Sequence, residues 1–308
     1  MRKNLSEDIL KLKKEKNAII LAHLYQPAEI QEIADYIGDS YYLSKIARDC
    51  TEELIIFCGV KFMGESAKIL SPEKTVILPA TNAGCPMADM ATAPDLEEMI
   101  KEYPDAFKVC YINSSYKVKA LCDVSVTSSS ALDILKNVPN KQILFLPDRN
   151  LGSYIAEFFP DKEFIFWQGF CPTHERITTE DILKAKEKHP TVKVLTHPEC
   201  NKEVRDLSDY IGSTSGIINY ATKCEDDEFI ICTEEGILYE LEKRNPNKKF
   251  YFPEKILCPN MKKTSLENVY DALCGKIDEV ILDEEISKKA LTSLENMHKL
   301  GEMVLCEK

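Results

Sequence analysis

Residues 169–175 read Gly169-Phe170-Cys171-Pro172-Thr173-His174-Glu175 and follow the apolar run Phe164-Ile165-Phe166-Trp167. A cysteine, a proline and a histidine within four residues admit three local readings: a metal-binding Cys–His pair, a reactive thiol, or a buried thiol beside a helix stop. The wider sequence narrows the choice. Of the twelve cysteines, three precede proline: Cys85 in AGCPMAD, Cys171 in GFCPTHE and Cys258 in ILCPNMK, separated by 86 and 87 residues. Near-equal spacing over that length is the mark of an internal repeat.

The same period runs through the rest of the chain. Three apolar runs end in AHLY, CYIN and THPE, which place His23 and Tyr25, Tyr111 and Asn113, and His197 and Glu199 at equivalent positions. From Tyr25 to Cys85 and from Tyr111 to Cys171 is 60 residues, and from His197 to Cys258 is 61. Each third also carries a second polar segment, GDS at 38–40, TSSS at 127–130 and GSTSG at 212–216. Short β-branched runs such as ELIIFCG, QILFLPD and EFIICTE alternate with amphipathic stretches such as SYYLSKIARD, NLGSYIAEFF and GILYELEKRN. Here EIQEIADYIG and EVRDLSDYI read as helices, and GSTSG reads with the strand runs. Strands that are apolar throughout need cover on both faces, which predicts parallel sheets between helices.

The expected fold class is therefore α/β, with three related three-layer α/β/α domains on parallel sheets about a pseudo-threefold axis. The expected units are 1–95 with Cys85, 96–182 with Cys171, and 183–308 with Cys258, the last ending in a C-terminal helix, ISKKALTSLENMHKLGEM, that packs across units. Parallel α/β sheets bind ligands at the carboxyl ends of their strands. The active site is accordingly expected where the three sets of strand ends meet.

Bulk properties exclude several alternatives. At 308 residues the chain exceeds a typical single core. No apolar run approaches the roughly 20 residues that cross a bilayer. The opening segment MRKNLSEDILKLKKEKN mixes charges at helical spacing and has no apolar signal core, so a cytoplasmic location is expected. A net charge of −12 without a basic stripe argues against nucleic acid. In such a chain the other cysteines read as buried thiols: Cys58, Cys110 and Cys232 in strands, and Cys50, Cys122, Cys224, Cys274 and Cys306 in or beside helices. Cys200, directly after Glu199, stays open.

Three equivalent thiolates meeting on an axis describe a metal site, and sulfur ligation favours an iron–sulfur cluster or zinc over hard cations. Structural zinc takes four closed ligands and commonly uses CxxC pairs, of which this chain has none. A 4Fe-4S cluster ordinarily takes four cysteines. With three, one iron keeps an open position and becomes a Lewis acid suited to dehydration. Around it, Glu199 beside His197 forms a candidate acid–base pair, and Tyr25 and Tyr111 can donate or accept protons. Ser128, Ser129, Ser213 and Thr214, each before an apolar helix, can cap it and hold an anion. His23, His174 and His197 share the strand-end or post-cysteine positions, whereas His189 and His298 lie in charged helical contexts.

Eight stretches in order, ILAHLYQPAEIQEIADYIGDS, CPMADM, YINSSYKVKALCDV, FLPDRNLG, FCPTHERI, HPEC, GSTSGIINYA and CPNMK, carry a resemblance. The sequence is similar to the quinolinate synthase family over nearly its whole length. The resemblance implies a 4Fe-4S cluster on Cys85, Cys171 and Cys258 with one iron open to substrate. It implies condensation of iminoaspartate with dihydroxyacetone phosphate to quinolinate, with loss of phosphate and water, in NAD biosynthesis. An aspartate-oxidising enzyme would supply the iminoaspartate. Tyr25, His23 and Glu199 are then expected to carry proton transfers. Tyr111, Asn113, Ser128, Ser213 and Thr214 are expected to hold carboxylates and phosphate. Ser40 and His197 should line the same cavity beside His23 and Glu199, and His174 is expected as a pocket residue, not an iron ligand. The chain departs from the family's commoner TSSNA at Ser130, and it has no further cysteine close to Cys258. Another three-cysteine dehydratase of a small acid, or a cluster that only senses oxidation, are the alternative expectations.

Overall fold

The computed structural model describes residues 2–253 and 256–303 and contains three four-stranded parallel sheets. The first is built from β1 (Ala18–His23), β2 (Tyr36–Gly38), β3 (Leu54–Cys58) and β4 (Thr75–Ile77). The second comprises β5 (Phe107–Tyr111), β6 (Val124–Val126), β7 (Gln142–Leu146) and β8 (Glu163–Phe166). The third comprises β9 (Lys193–Thr196), β10 (Tyr210–Ile211), β11 (Glu228–Cys232) and β12 (Lys249–Tyr251). Each sheet has the same strand order: second, first, third, fourth. The order reverses beside the first strand of each unit, and ligands bind outside the carboxyl ends at such a reversal. All six residues of β1 are buried, as the unbroken apolar run requires.

A repeated clasp sets the start of each unit. Asp35, Asp123 and Asp209 each precede the second strand, and each accepts the backbone N–H of a residue 15 positions earlier, Ile20, Lys108 and Val194, at 2.8 Å. The backbone N–H of the same three aspartates returns to the carbonyls of those residues at 2.9 Å. This reciprocal pair explains where helix expectations fail. EIQEIADYIG is helical only over Ala28–Ile33 and then pairs as β2, while EVRDLSDYI is helical only over Lys202–Arg205 and then pairs as β10. GSTSG is not a strand but the turn into the helix Thr214–Lys223.

Two packing features join the units. The helix Leu266–Leu273, which follows Cys258, returns to the first sheet and buries Leu266, Val269 and Leu273 in one cluster with Ile9, Ile20 and Ile56. The C-terminal helix Glu284–Met303 inserts Ala290, Leu294 and Met297, all fully buried. Along it, the Ser293 hydroxyl lies 3.1 Å from that of Ser125 on β6, and Asn296 donates to the Asp123 carbonyl at 2.8 Å. Further on, His298 Nε2 lies 2.9 Å from the Ser44 hydroxyl in the helix Ser40–Asp49 of the first unit. No helix among the described residues is long and apolar enough to cross a membrane.

Leu294 is one of the fully buried side chains of this bridging helix. Leu294→Ala is expected to lower the unfolding free energy by about 2–5 kcal/mol, the usual range for a buried leucine that leaves a cavity. Urea denaturation monitored by circular dichroism reads this directly, and an unchanged midpoint would remove the helix from the stabilising core.

Candidate active site

The strand ends converge on one cavity enclosing about 990 Å³ of empty space, part of it open to solvent. From the first unit it is lined by His23, Tyr25, Ser40 and Cys85. The second unit contributes Tyr111, Asn113, Ser128, Cys171 and His174, and the third His197, Glu199, Thr214 and Cys258. Twelve of the expected substrate, catalytic and cysteine residues thus meet here with Glu199, and the exception is Ser213. Its hydroxyl is used as a helix cap, accepting the Gly216 N–H at 3.1 Å, and it presents Thr214 to the cavity instead.

Two histidines repeat one local geometry. His23 Nδ1 accepts the backbone N–H of Tyr25 at 3.1 Å, and His197 Nδ1 accepts that of Glu199 at 3.3 Å. With Nδ1 occupied as an acceptor, the neutral rings carry their hydrogen on Nε2, which for His197 lies 3.3 Å from the Ser128 hydroxyl. Burial pushes both imidazoles down to about 3, Lys262 contributing at His23 and His174 at His197. Both rings are neutral at physiological pH.

Glu199 is the charged centre of the site. Burial by itself would raise its carboxyl, but the His174 and His197 rings and the Tyr111 hydroxyl hold it well below the usual carboxylate range. Tyr111 donates to Glu199 Oε1 at 2.6 Å, and His174 Nδ1 lies 2.7 Å from Oε2. On its other side His174 Nε2 lies 2.9 Å from the Thr233 hydroxyl, which is 2.8 Å from the Tyr25 hydroxyl. Tyr25 also meets Thr214 at 2.8 Å. Because the anion of Glu199 accepts at both oxygens, His174 donates to it from Nδ1. Tyr25, Thr233, His174 and Glu199 thus form one continuous chain of polar contacts. Burial, then the charge of Glu199, pushes the Tyr25 and Tyr111 phenols well above their ordinary range, so both stay protonated.

The donor set of the three Cys-Pro loops fits a thiophilic metal group. Cys85, Cys171 and Cys258 are half-buried free thiols, whereas Cys58, Cys110, Cys122, Cys200 and Cys232 are buried. Cys200 belongs with the core thiols, its Sγ donating to the Cys232 carbonyl at 3.6 Å. Cys306 lies outside the described residues. Desolvation pushes the metal-free Cys85 thiol up to about 12 and raises Cys171 well above its ordinary value. Both would ionise only with a cation at hand, as metal ligands do. Among the described residues, the group whose ligand atoms lie within 4.8 Å of one another is Cys171, His174 and Glu199.

The chain matches the family model described as Quinolinate synthetase A protein over residues 7–299. The chain belongs to this family. It is 64% identical over 303 residues to a quinolinate synthase of Clostridioides difficile strain 630, covering 98% of this chain and 100% of that one. A quinolinate synthase of Clostridium perfringens is 59% identical over 299 residues, covering 97% and 99%. One from Caldicellulosiruptor bescii is 53% identical over 298 residues, covering 96% and 98%. Family membership accounts for the three-sheet α/β architecture and for the cysteine-rich centre.

Several residues of the site escaped the sequence reading. Thr233 and Glu234, in EFIICTEEG, sit at the tip of β11, and only the parallel with the tip of β7, where Asp148 stands, would have marked them. Asn260 and Met261 line the cavity just after Cys258, and Arg176 lines it from an exposed position after His174. Among the described lining residues Arg176 is the one arginine or lysine, so the fixed positive charge of the lining sits at its exposed edge.

The depressed histidines give the metal-free protein a defined pH dependence. A histidine with a folded value near 3 and an unfolded value near 6.5 takes up its proton first in the unfolded chain. Its stabilising contribution is complete above pH 6.5 and is lost as pH falls toward 3. Between pH 7 and pH 5 the expected loss is about 2 kcal/mol per histidine at most. Urea titrations at the two pH values should show this loss, and His197→Gln should flatten it. A pH-independent wild type over that interval would contradict the buried neutral assignment.

Proposed function

We propose that this chain is a quinolinate synthase, condensing iminoaspartate with dihydroxyacetone phosphate to form quinolinate, phosphate and water. The observation that carries the reading is the single cavity in which three Cys-Pro thiols from three units meet the Tyr25–Thr233–His174–Glu199–Tyr111 chain. In this reading the units 1–95, 96–182 and 183–308 each supply one ligand to a 4Fe-4S cluster. The enzyme works in the cytoplasm, in NAD biosynthesis, on iminoaspartate made by an aspartate-oxidising enzyme. When bound, a three-cysteine cluster supplies an iron with a free position that acts as a Lewis acid toward substrate oxygen or nitrogen.

The protein's own groups do the rest. The hydroxyls of Ser40, Ser128 and Thr214 and the amide of Asn113 bind carboxylate and phosphate oxygens, and Ser213 acts by capping the helix that carries Thr214. The condensation requires a proton to leave the methylene carbon of iminoaspartate and another to reach a departing hydroxyl. Glu199, kept anionic, is the acceptor. Tyr25, kept protonated and threaded to Glu199 through Thr233 and His174, is the donor, and the proton taken by Glu199 returns to it along that thread as the hydrogens on His174 and Thr233 change sides. The Nε2–H groups of His23 and His197 donate to substrate oxygens without adding charge.

Protein purified without oxygen should be brown and contain iron and sulfide, and it should form quinolinate from the two substrates. Cys171→Ala should lose iron and activity together. Tyr25→Phe should keep its iron but lose roughly 10²–10⁴-fold in kcat, the usual worth of a general acid. Wild-type turnover in that variant would overturn the role of Tyr25, and an iron-free protein with full activity would overturn the cluster. A protein carrying one zinc and no sulfide would instead favour the Cys171–His174–Glu199 group.

A further inference from the structure

Two buried carboxylates near the thiols bind no substrate in the scheme above. Asp148 and Glu234 are both 0% exposed. Each stands two residues beyond the third strand of its unit, after β7 and β11, and each makes the same pair of contacts. Asp148 Oδ2 accepts the backbone N–H of Cys171 at 3.1 Å, and Glu234 Oε1 accepts that of Cys258 at 3.1 Å. Their second oxygens close the local turn, accepting the N–H of Leu151 and of Gly236 at 2.7 Å. In the first unit the equivalent position, two residues beyond β3, is Val60, and among the described residues Cys85 N–H has no carboxylate acceptor of this kind.

Capping a turn does not account for a fully buried carboxylate. A serine or threonine would satisfy Leu151 N–H without taking an ionisable group out of water. What the second oxygen adds is the hold on the cysteine. That hold matters because proline follows each cysteine and has no N–H. The cysteine amide is therefore the last backbone donor by which the loop can be anchored before the thiol.

We propose that Asp148 and Glu234 are positioning residues that fix the peptides of Cys171 and Cys258, so that two of three cluster thiolates are held rigidly while Cys85 is not. The inference rests on the cluster reading of the site. Glu234 has a further reach. Its oxygens lie 2.9 and 3.0 Å from Lys262 Nζ, which also donates to the Tyr25 carbonyl at 2.7 Å. Glu234 thus ties the third cysteine loop to the turn carrying Tyr25, whereas the Asp148 carboxylate holds its cysteine loop and its own turn.

The test uses anaerobically reconstituted full-length protein and the rate of iron release to a chelator. D148S keeps a hydroxyl to cap Leu151 but has no second oxygen for Cys171. It should release iron 10–100-fold faster than wild type, the range usual for lost outer-shell support, with an altered electron paramagnetic resonance signal and unchanged thermal unfolding of the metal-free form. E234A should release iron in the same range and also lower kcat, while E234Q, which keeps an acceptor oxygen, should hold iron nearly as long as wild type. Iron release equal to wild type in D148S and E234A overturns the proposal, as does E234Q behaving like E234A. Where D148S does not fold, the Glu234 pair carries the same test. Wild-type protein that takes up no iron and sulfide overturns the cluster reading itself, an outcome distinct from a loaded wild type with unaffected variants.

Discussion

The junction of the three units depends on burying one anion, the carboxylate of Glu199. Moving such a group out of water costs several kcal/mol and is tolerated only when its oxygens are fully engaged. Here the partners come from two units. Tyr111 and His174 belong to the second, while His197 precedes Glu199 in the third. Thr233 and Tyr25 extend the same network into the first unit. Losing any one sheet would leave the carboxylate or its neighbours without partners. The cavity is therefore the place where the units must agree on their relative position.

A repeated scaffold carries unequal tips. The aspartate clasp at Asp35, Asp123 and Asp209 has the same geometry three times, because every unit must align its first two strands in the same register. The strand ends have no such obligation. His23 and His197 preserve one histidine geometry, and Tyr111 replaces it in the second unit. Beyond the third strands stand Val60, Asp148 and Glu234. The differences lie where chemistry needs different groups around a common centre, and the likenesses lie where backbone pairing leaves no choice.

Much of this was legible in the sequence for a physical reason. Unbroken apolar runs require cover on both faces, and a parallel strand presents its last residues at a ligand-binding edge, so period and polarity together place His23, Tyr25, Tyr111, Asn113, His197 and Glu199. Two short edge strands were not legible. Tyr36–Gly38 and Tyr210–Ile211 continue a helical pattern of apolar residues, and only the long-range bonds of Asp35 and Asp209 decide them. The near-identity of ADYIGD and SDYIGS was a usable signal that periodic reading passes over. Ser213 and Thr214 both read as capping or anion-binding hydroxyls, and only the start of the helix assigns the cap to Ser213.

By itself, the sequence determined the three-unit α/β plan, the cysteine triplet and most of the strand-end groups, since these depend on composition and spacing along one chain. Tertiary structure alone decided which of those groups touch. The continuity of the Tyr25–Thr233–His174–Glu199 chain and the hold of Asp148 and Glu234 on two of three cysteines arise between residues 23 to 208 positions apart. Hydrogen bonds between such distant residues leave no period in the sequence, because folding, not chain spacing, sets the distance across which they form.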